Sequence, residues 1–252
     1  MAKVYYSQED LRWKNTPYTN RNDPTQTIGT SACGPTCFAM AASSLLGKSI
    51  LPTEAAKFAV DNDFRTDDQG TKWTYFAAAA KKYGLACEQT GTMETVKAAL
   101  ATGALVVASM RSGHFTAGGH YILLVGIGGG WFDVYDPNQD NRKYGSDGLI
   151  DQGVKDDGKV RAKESVIRNE ARQFWIINKP VIEEEEQPMI AAEKNEFEEL
   201  TSRVEALEKK IEAPAWFLKE FGSGNLNGLI SEPKFTSEGW RVLSVALRAI
   251  KK

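Results

Sequence analysis

The chain has 252 residues, 42% of them hydrophobic and 25% charged, with a formal net charge of −2. That length holds one ordinary domain plus something smaller, and the composition is typical of a soluble globular protein. Charge is close to balanced in both parts of the chain, so the basic footprint of a nucleic-acid partner is missing, and no window reaches the roughly 18 apolar residues of a membrane helix.

The opening MAKVYYSQEDLRWKN has no apolar run after its lysine and does not read as a signal peptide. The expected location is therefore a cytoplasm, unless something releases the protein. From residue 35, PTCFAMAASSLLG predicts a helix: Pro35 suits a first turn, Phe38, Ala41, Ala42 and Leu45 share a face, and Gly47 ends it. LPTEAAKFAVDND predicts a second, with Thr53 as its cap. TKWTYFAAAAKKYG predicts a third, closed by Lys81, Lys82 and Gly84, and TMETVKAALATG a fourth. The period then changes. ALVVASM, HYILLVGI, WFDVYD and RQFWIIN are short β-branched or aromatic runs between glycines and polar clusters, as strands are. Helices followed by strands predict an α+β domain over residues 1–178 with an antiparallel sheet.

Residues 179–192 form an acidic linker, in which two prolines bracket Glu183–Glu186. Residues 193–252 read as a small helical module. Phe197, Leu200, Val204, Leu207 and Ile211 repeat at heptad spacing and predict a coiled-coil seam, or else the core face of an amphipathic helix. A final helix is expected from Thr236 or Ser237. So small a module is expected to oligomerise through residues 194–252. Met189 follows a purine-rich stretch of glutamate codons, so a free C-terminal fragment starting there is a further expectation.

Cys33 and Cys37 pose the chemical question. A structural zinc site needs four paired Cys or His ligands, and this chain has three cysteines and two histidines without a second pair. A Cys33–Cys37 disulfide would clamp one helical turn in a reducing compartment. A nucleophile fits better. Cys33 opens the helix, where unpaired N–H groups and the dipole favour a thiolate, and Cys37 one turn on is a packing residue. Such a thiolate needs a histidine and a group to orient it. In HFTAGGHYILLVGIGGGWFDVYDPNQ, pairing Ile127 with Trp131 places His120 opposite Asn138 and Ile122 opposite Asp136, all on one face. His120 is then the base, Asp136 its orienting carboxylate and Asn138 the alternative. His120 as a plain strand-end residue and Asp136 as a turn residue are the bland readings, and His114 either lines the cleft or holds a loop.

YYSQEDLRW, ACGPTCFAMAASSLLG, GHFTAGGHYILLVGI and VYDPN, in that order, resemble the C39-type, papain-like cysteine peptidases, in the branch found in Gram-positive bacteria and their phages. The resemblance spans roughly residues 4–178. It implies Cys33 as nucleophile, His120 as base, Asp136 as orienting group, and Gln8 as a catalytic glutamine whose amide helps to form the oxyanion hole. A peptidase joined to a linker and an accessory module looks like a phage endolysin, released to the cell wall to cut a peptide or amide bond of peptidoglycan. The alternative is a non-lytic peptidase that processes a leader or other peptide. Neither chemistry needs a cofactor or a metal. The acidic loop 61–68 offers oxygen ligands but lacks EF-hand spacing, and reads as a solvated loop.

Overall fold

The structure, a computed structural model, describes residues 3–67, 70–180 and 191–250, with side chains from residue 194 onward in the last stretch. Glu183–Glu186 and Met189, with the expectations attached to them, lie outside the described residues, as does Asp68 of the acidic loop. The chain divides into two compact units, Met1–Val181 and Ile182–Lys252.

In the first unit the helices are α1 (Ile28–Ser31), α2 (Cys33–Leu46), α3 (Pro52–Asp61), α4 (Tyr75–Lys82), α5 (Met93–Ala101) and α6 (Glu164–Glu170). The strands are β1 (Ala86–Thr90), β2 (Leu105–Met110), β3 (His120–Gly128), β4 (Trp131–Tyr135), β5 (Ile150–Asp151), β6 (Lys159–Lys163) and β7 (Ala171–Asn178). The strands form one antiparallel sheet in the order β1-β7-β2-β3-β4-β6-β5. The expected α+β class and antiparallel sheet are what the chain adopts. Thr53, however, does not cap α3: the helix begins at Pro52 with Leu51 in the extended cap position. Proline at the first helical position loses no hydrogen bond, so it sets the start.

Alternation along the strands divides the core. Leu105, Val107, Leu123, Val125, Trp175 and Ile177 join α2–α4 on one face, while Val106, Ala108, Ile122, Leu124, Phe174 and Ile176 meet α5 and α6 on the other. Both faces of β2 are buried, which is why LVVASM shows no polar alternation.

The β3–β4 hairpin positions the later site. Its turn is Gly129–Gly130, both at positive φ (59° and 79°), the conformation that a two-residue hairpin requires. Gly128 pairs with Trp131 and Ile127 with Phe132, one residue away from the expected Ile127–Trp131 pairing. A bulge at Val125 absorbs the difference, so that Leu124 meets Val134 and Leu123 meets Tyr135, as the expected alignment requires.

In the second unit, α7 (Ala191–Glu208), α8 (Ala215–Phe221) and α9 (Ser237–Ile250) are joined by loops and an Ile211–Phe235 bridge. Thr236 accepts the Gly239 N–H at 3.1 Å at the start of α9. Phe217 and Trp240 are fully buried against each other, with ring centroids 4.6 Å apart, and Trp240 Nε1 donates to Ile211 O at 3.0 Å. Ile211 therefore lies beyond α7 in the bridge and is not part of a continuous heptad helix.

Candidate active site

Cys33 is the first residue of α2. The helix presses its first turn against the β3 side of the core. A Cβ on Gly34 would come within 3.0 Å of Thr71 Oγ1 and 3.3 Å of the Tyr121 ring, so glycine permits the approach. Pro35 follows within the first turn, where its missing N–H costs nothing. Burial pushes the Cys33 thiol up. The hydrogen bond and charge of His120, together with the Tyr121 and Gly34 backbone N–H groups, outweigh it and hold the thiol below its ordinary value.

His120 opens β3, and its Nε2 lies 2.7 Å from Asp136 Oδ1. Burial pushes the imidazole down, but the charge and hydrogen bond of Asp136, with a contribution from Cys33, raise it to about 10. A lowered thiol beside a raised imidazole is a thiolate–imidazolium pair. Nε2 is occupied by Asp136, which leaves Nδ1 to face the sulfur.

Asp136 is completely buried just past the end of β4. Besides His120, the Asn138 N–H donates to Oδ1 (2.9 Å), and Asn141 Nδ2 and the Tyr144 hydroxyl donate to Oδ2 (2.8 Å each). Asn141 also donates to Phe115 O at 2.8 Å. A buried carboxylate with four donors is hydrogen-bonded on both oxygens and fixed in place. The N-terminal segment closes over the same turn: the Tyr5 hydroxyl donates to Asp136 O at 2.8 Å, and the Gln8 N–H to Pro137 O at 2.8 Å.

The structure thus brings Cys33, His120 and Asp136 together. The alternative, Asn138, does not orient His120. Its side-chain amide, set to donate, reaches Glu9 Oε2 (3.1 Å) and Asp140 Oδ1 (3.2 Å). Only its backbone N–H serves the site, because the chain turns away after Asp136. Gln8 is buried, with Nε2 donating to Gly29 O at 2.7 Å and Oε1 without a partner. His114 holds a loop: its ring bridges Glu170 and Asp147, the latter at 2.9 Å. Cys37 is buried, with its sulfur 3.4 Å from Tyr121 O and its thiol pushed well up by burial, as suits a packing residue. In the acidic loop, Asp61, Asp63 and Asp67 pair with Lys57, Lys72 and Arg21 at 2.6–2.8 Å. Among the described residues, no three His, Cys, Asp or Glu side chains are grouped to hold a metal ion.

Cys33 and His120 open into a cleft of about 230 Å³, which Thr71, Trp73, Ser109 and Arg172 also line. Trp73 is 44% exposed and leans edge-on against Trp175 (5.7 Å). Thr71 is fixed from two sides, by the Tyr18 hydroxyl at 2.7 Å and by its carbonyl accepting from the Tyr121 hydroxyl at 3.0 Å. Sequence reasoning missed Asn141, Tyr144, Trp73 and Arg172. The first two sit in DPNQDNRKY, a polar stretch whose only readable signal is that it turns.

Residues 5–152 match the model of the Peptidase C39 like family. No curated protein matches the chain. Among solved structures, the peptidase domain of Streptococcus ComA, described as a bi-functional ABC transporter involved in quorum sensing, aligns at 17% identity with a TM-score of 0.43, over 58% of this chain and 90% of that one. A double glycine motif protease from an AMS/PCAT transporter, solved in complex with the leader peptide, aligns at 17% and 0.39, over 58% and 84%. A C39-like peptidase from Bacillus anthracis aligns at 14% and 0.39, over 59% and 88%.

Proposed function

The chain belongs to the Peptidase C39 like family and is a cysteine peptidase, and from that premise we propose that Cys33, His120 and Asp136 carry the reaction. The observation behind this reading is that His120 lies between a lowered thiol and a saturated, buried carboxylate. The Cys33 thiolate attacks the scissile carbonyl carbon and a C–S bond forms. His120 then gives its proton to the departing amine as the C–N bond breaks. Neutral His120 next takes a proton from water, whose oxygen attacks the thioester, and the acid leaves as the thiolate returns. Asp136 keeps the imidazole oriented and favours its charged form. The oxyanion role of Gln8 rests on the family resemblance alone. One Nε2 hydrogen is committed to Gly29, so the role needs the other to reach the cleft. Loss of all hydrolysis in Cys33→Ala, with the fold intact by circular dichroism, is the test.

For the substrate we propose a peptide or amide bond of Gram-positive peptidoglycan, as in a phage endolysin acting at the wall after release. Support comes from the second unit, which presents apolar surface suited to attachment and assembly. Residues 194–210 are exposed throughout, including Phe197, Leu200, Val204 and Leu207 (50–76%). A helix of this length without packing is marginal in water, so a second copy is its natural partner. Val204 at an a position with Leu200 and Leu207 at d suits a parallel pair, in which Arg203 at g faces Glu208 at e of the other copy. The outer face of α9 is likewise apolar, with Val242, Val245, Ala246 and Ala249 all exposed. Among the described residues, no helix is long and apolar enough to cross a membrane.

The second reading is processing of a leader or other peptide, the substrate named for the double glycine motif protease. Purified walls separate the two. Clearing of walls that Cys33→Ala abolishes supports the endolysin. Intact walls across a broad panel, together with cleavage of peptides, support the processing enzyme.

A further inference from the structure

The β2–β7 ladder contains one irregularity. Leu105 to Ser109 pair in register with Ile177 to Gln173, but Met110 pairs with Ala171, so Arg172 is an extra residue on β7 with no partner of its own. Bulges of this kind turn a side chain out of the alternation that the strand would impose, and they recur beside active sites. This one sits where β7 meets the mouth of the catalytic cleft, and Arg172 lines that cleft with Cys33 and His120.

The chemistry of the position is distinctive. Apart from the Cys33–His120 pair, the other side chains lining the cleft are uncharged. Arg172 is exposed, and among the described residues it forms no ion pair. The nearby acids have other partners. Glu94 lies 3.8 Å from Arg168, which also pairs with Glu164, while Glu170 holds His114. Arg172 lines the catalytic cleft and also an adjoining pocket that Glu94 and Arg168 share. A planar guanidinium held there by a backbone irregularity is built to take a carboxylate with two hydrogen bonds.

We propose that Arg172, aimed into the cleft by the β7 bulge, is a specificity residue that binds a carboxylate of the peptide substrate at a subsite beside the scissile bond. The preferred substrate is thus an acidic peptide, with an acidic side chain or a free carboxyl group near the cleaved bond. This inference rests on the reading of Cys33 as nucleophile, and its test separates the two.

The probes are paired alkylating agents: bromoacetyl-glutamate and bromoacetyl-glutamine, and the same pairs with one or two glycines inserted. The Cys33 thiolate displaces bromide, one S–C bond forms as one C–Br bond breaks, and mass spectrometry follows the adduct on Cys33. In the full chain, at least one glutamate probe is expected to react about 10- to 100-fold faster than its glutamine partner, the range of a charge-assisted hydrogen bond. Arg172→Gln should bring that ratio close to the value set by His120 alone, and Arg172→Lys should restore part of it. Rates with the glutamine probes should fall far less than those with the glutamate probes, and the circular dichroism of the variant should match that of the wild type. Ratios unchanged by Arg172→Gln at every spacer length overturn the proposal. If Cys33 reacts no faster than Cys87, the nucleophile reading fails instead.

Discussion

Replacing Asp136 with asparagine removes one charge and little volume, and the surroundings of the residue set the expected damage. The charge of Asp136 holds His120 at about 10, against an ordinary value near 6.5, while burial works in the other direction. At about 1.4 kcal/mol per unit, that net rise is roughly 5 kcal/mol in favour of the imidazolium, supplied in smaller part by Cys33 and in larger part by the carboxylate. Without it, burial carries the imidazole below its ordinary value, and Cys33 loses the cation that stabilises its thiolate. The amide also offers one acceptor oxygen where four donors converge. If that oxygen stays with His120 and Asn138, the new NH2 group faces Asn141 and Tyr144. The tyrosine hydroxyl can rotate to accept, but Asn141 Nδ2 cannot, leaving a buried donor unmatched at about 1–3 kcal/mol of stability. We expect kcat/KM to fall about 10²- to 10⁴-fold. The assay is the rate of Cys33 alkylation by iodoacetamide against pH, in parallel with hydrolysis. In the wild type the ion pair exists above the lowered pKa of Cys33 and below about 10, the value for His120. In Asp136→Asn that window narrows from both ends, because the thiol rises and the imidazole falls. An alkylation profile that keeps both limbs, with near-normal turnover, refutes the reasoning.

The wild-type pH–rate profile should be bell-shaped, with its alkaline limb near 10 and its acid limb below the ordinary cysteine range. Cys37→Ser should keep most activity but lower thermal stability, since it places a hydroxyl in a fully buried site, while Cys33→Ser should be inactive. Asn141→Ala should reduce activity more than Asn138→Ala, because only the Asn141 side chain holds Asp136; the reverse order in steady-state assays contradicts that assignment. Leu200→Arg with Leu207→Arg should lower the sedimentation coefficient without touching hydrolysis of a small peptide. A monomeric wild type at micromolar concentration overturns the paired helix.

The pattern of helices, then strands, was legible because long periodic runs such as CFAMAASSLL and HYILLVGI leave little choice of element. The place of Cys33 at a helix start was legible because Pro35 and the apolar face after it mark a first turn. The hairpin is more instructive. Two departures, a one-residue shift at Gly128–Trp131 and the bulge at Val125, cancel before His120, so the alignment across the site matches an expectation that fails at the turn. Bulges follow from packing on both faces of the sheet, and no local pattern marks them. For the same reason Arg172 reads as the start of a strand. Strands β1 and β6 were missed because ACEQT and KVRAK are short and polar, and they gain their register from β7 and β4. Asn138 was offered on spacing alone, which cannot show where a side chain turns after a strand ends.

The strap from Tyr5 to Gln8 fastens onto Asp136 and Pro137, some 130 residues further along the chain. Closing so long a loop costs more conformational entropy than forming a local helix such as α2. That helix carries Cys33, but the imidazole and the anchored carboxylate that act on its thiol reach it only through tertiary contacts. The lowered thiol is therefore a property of the assembled fold and not of the helix that bears it.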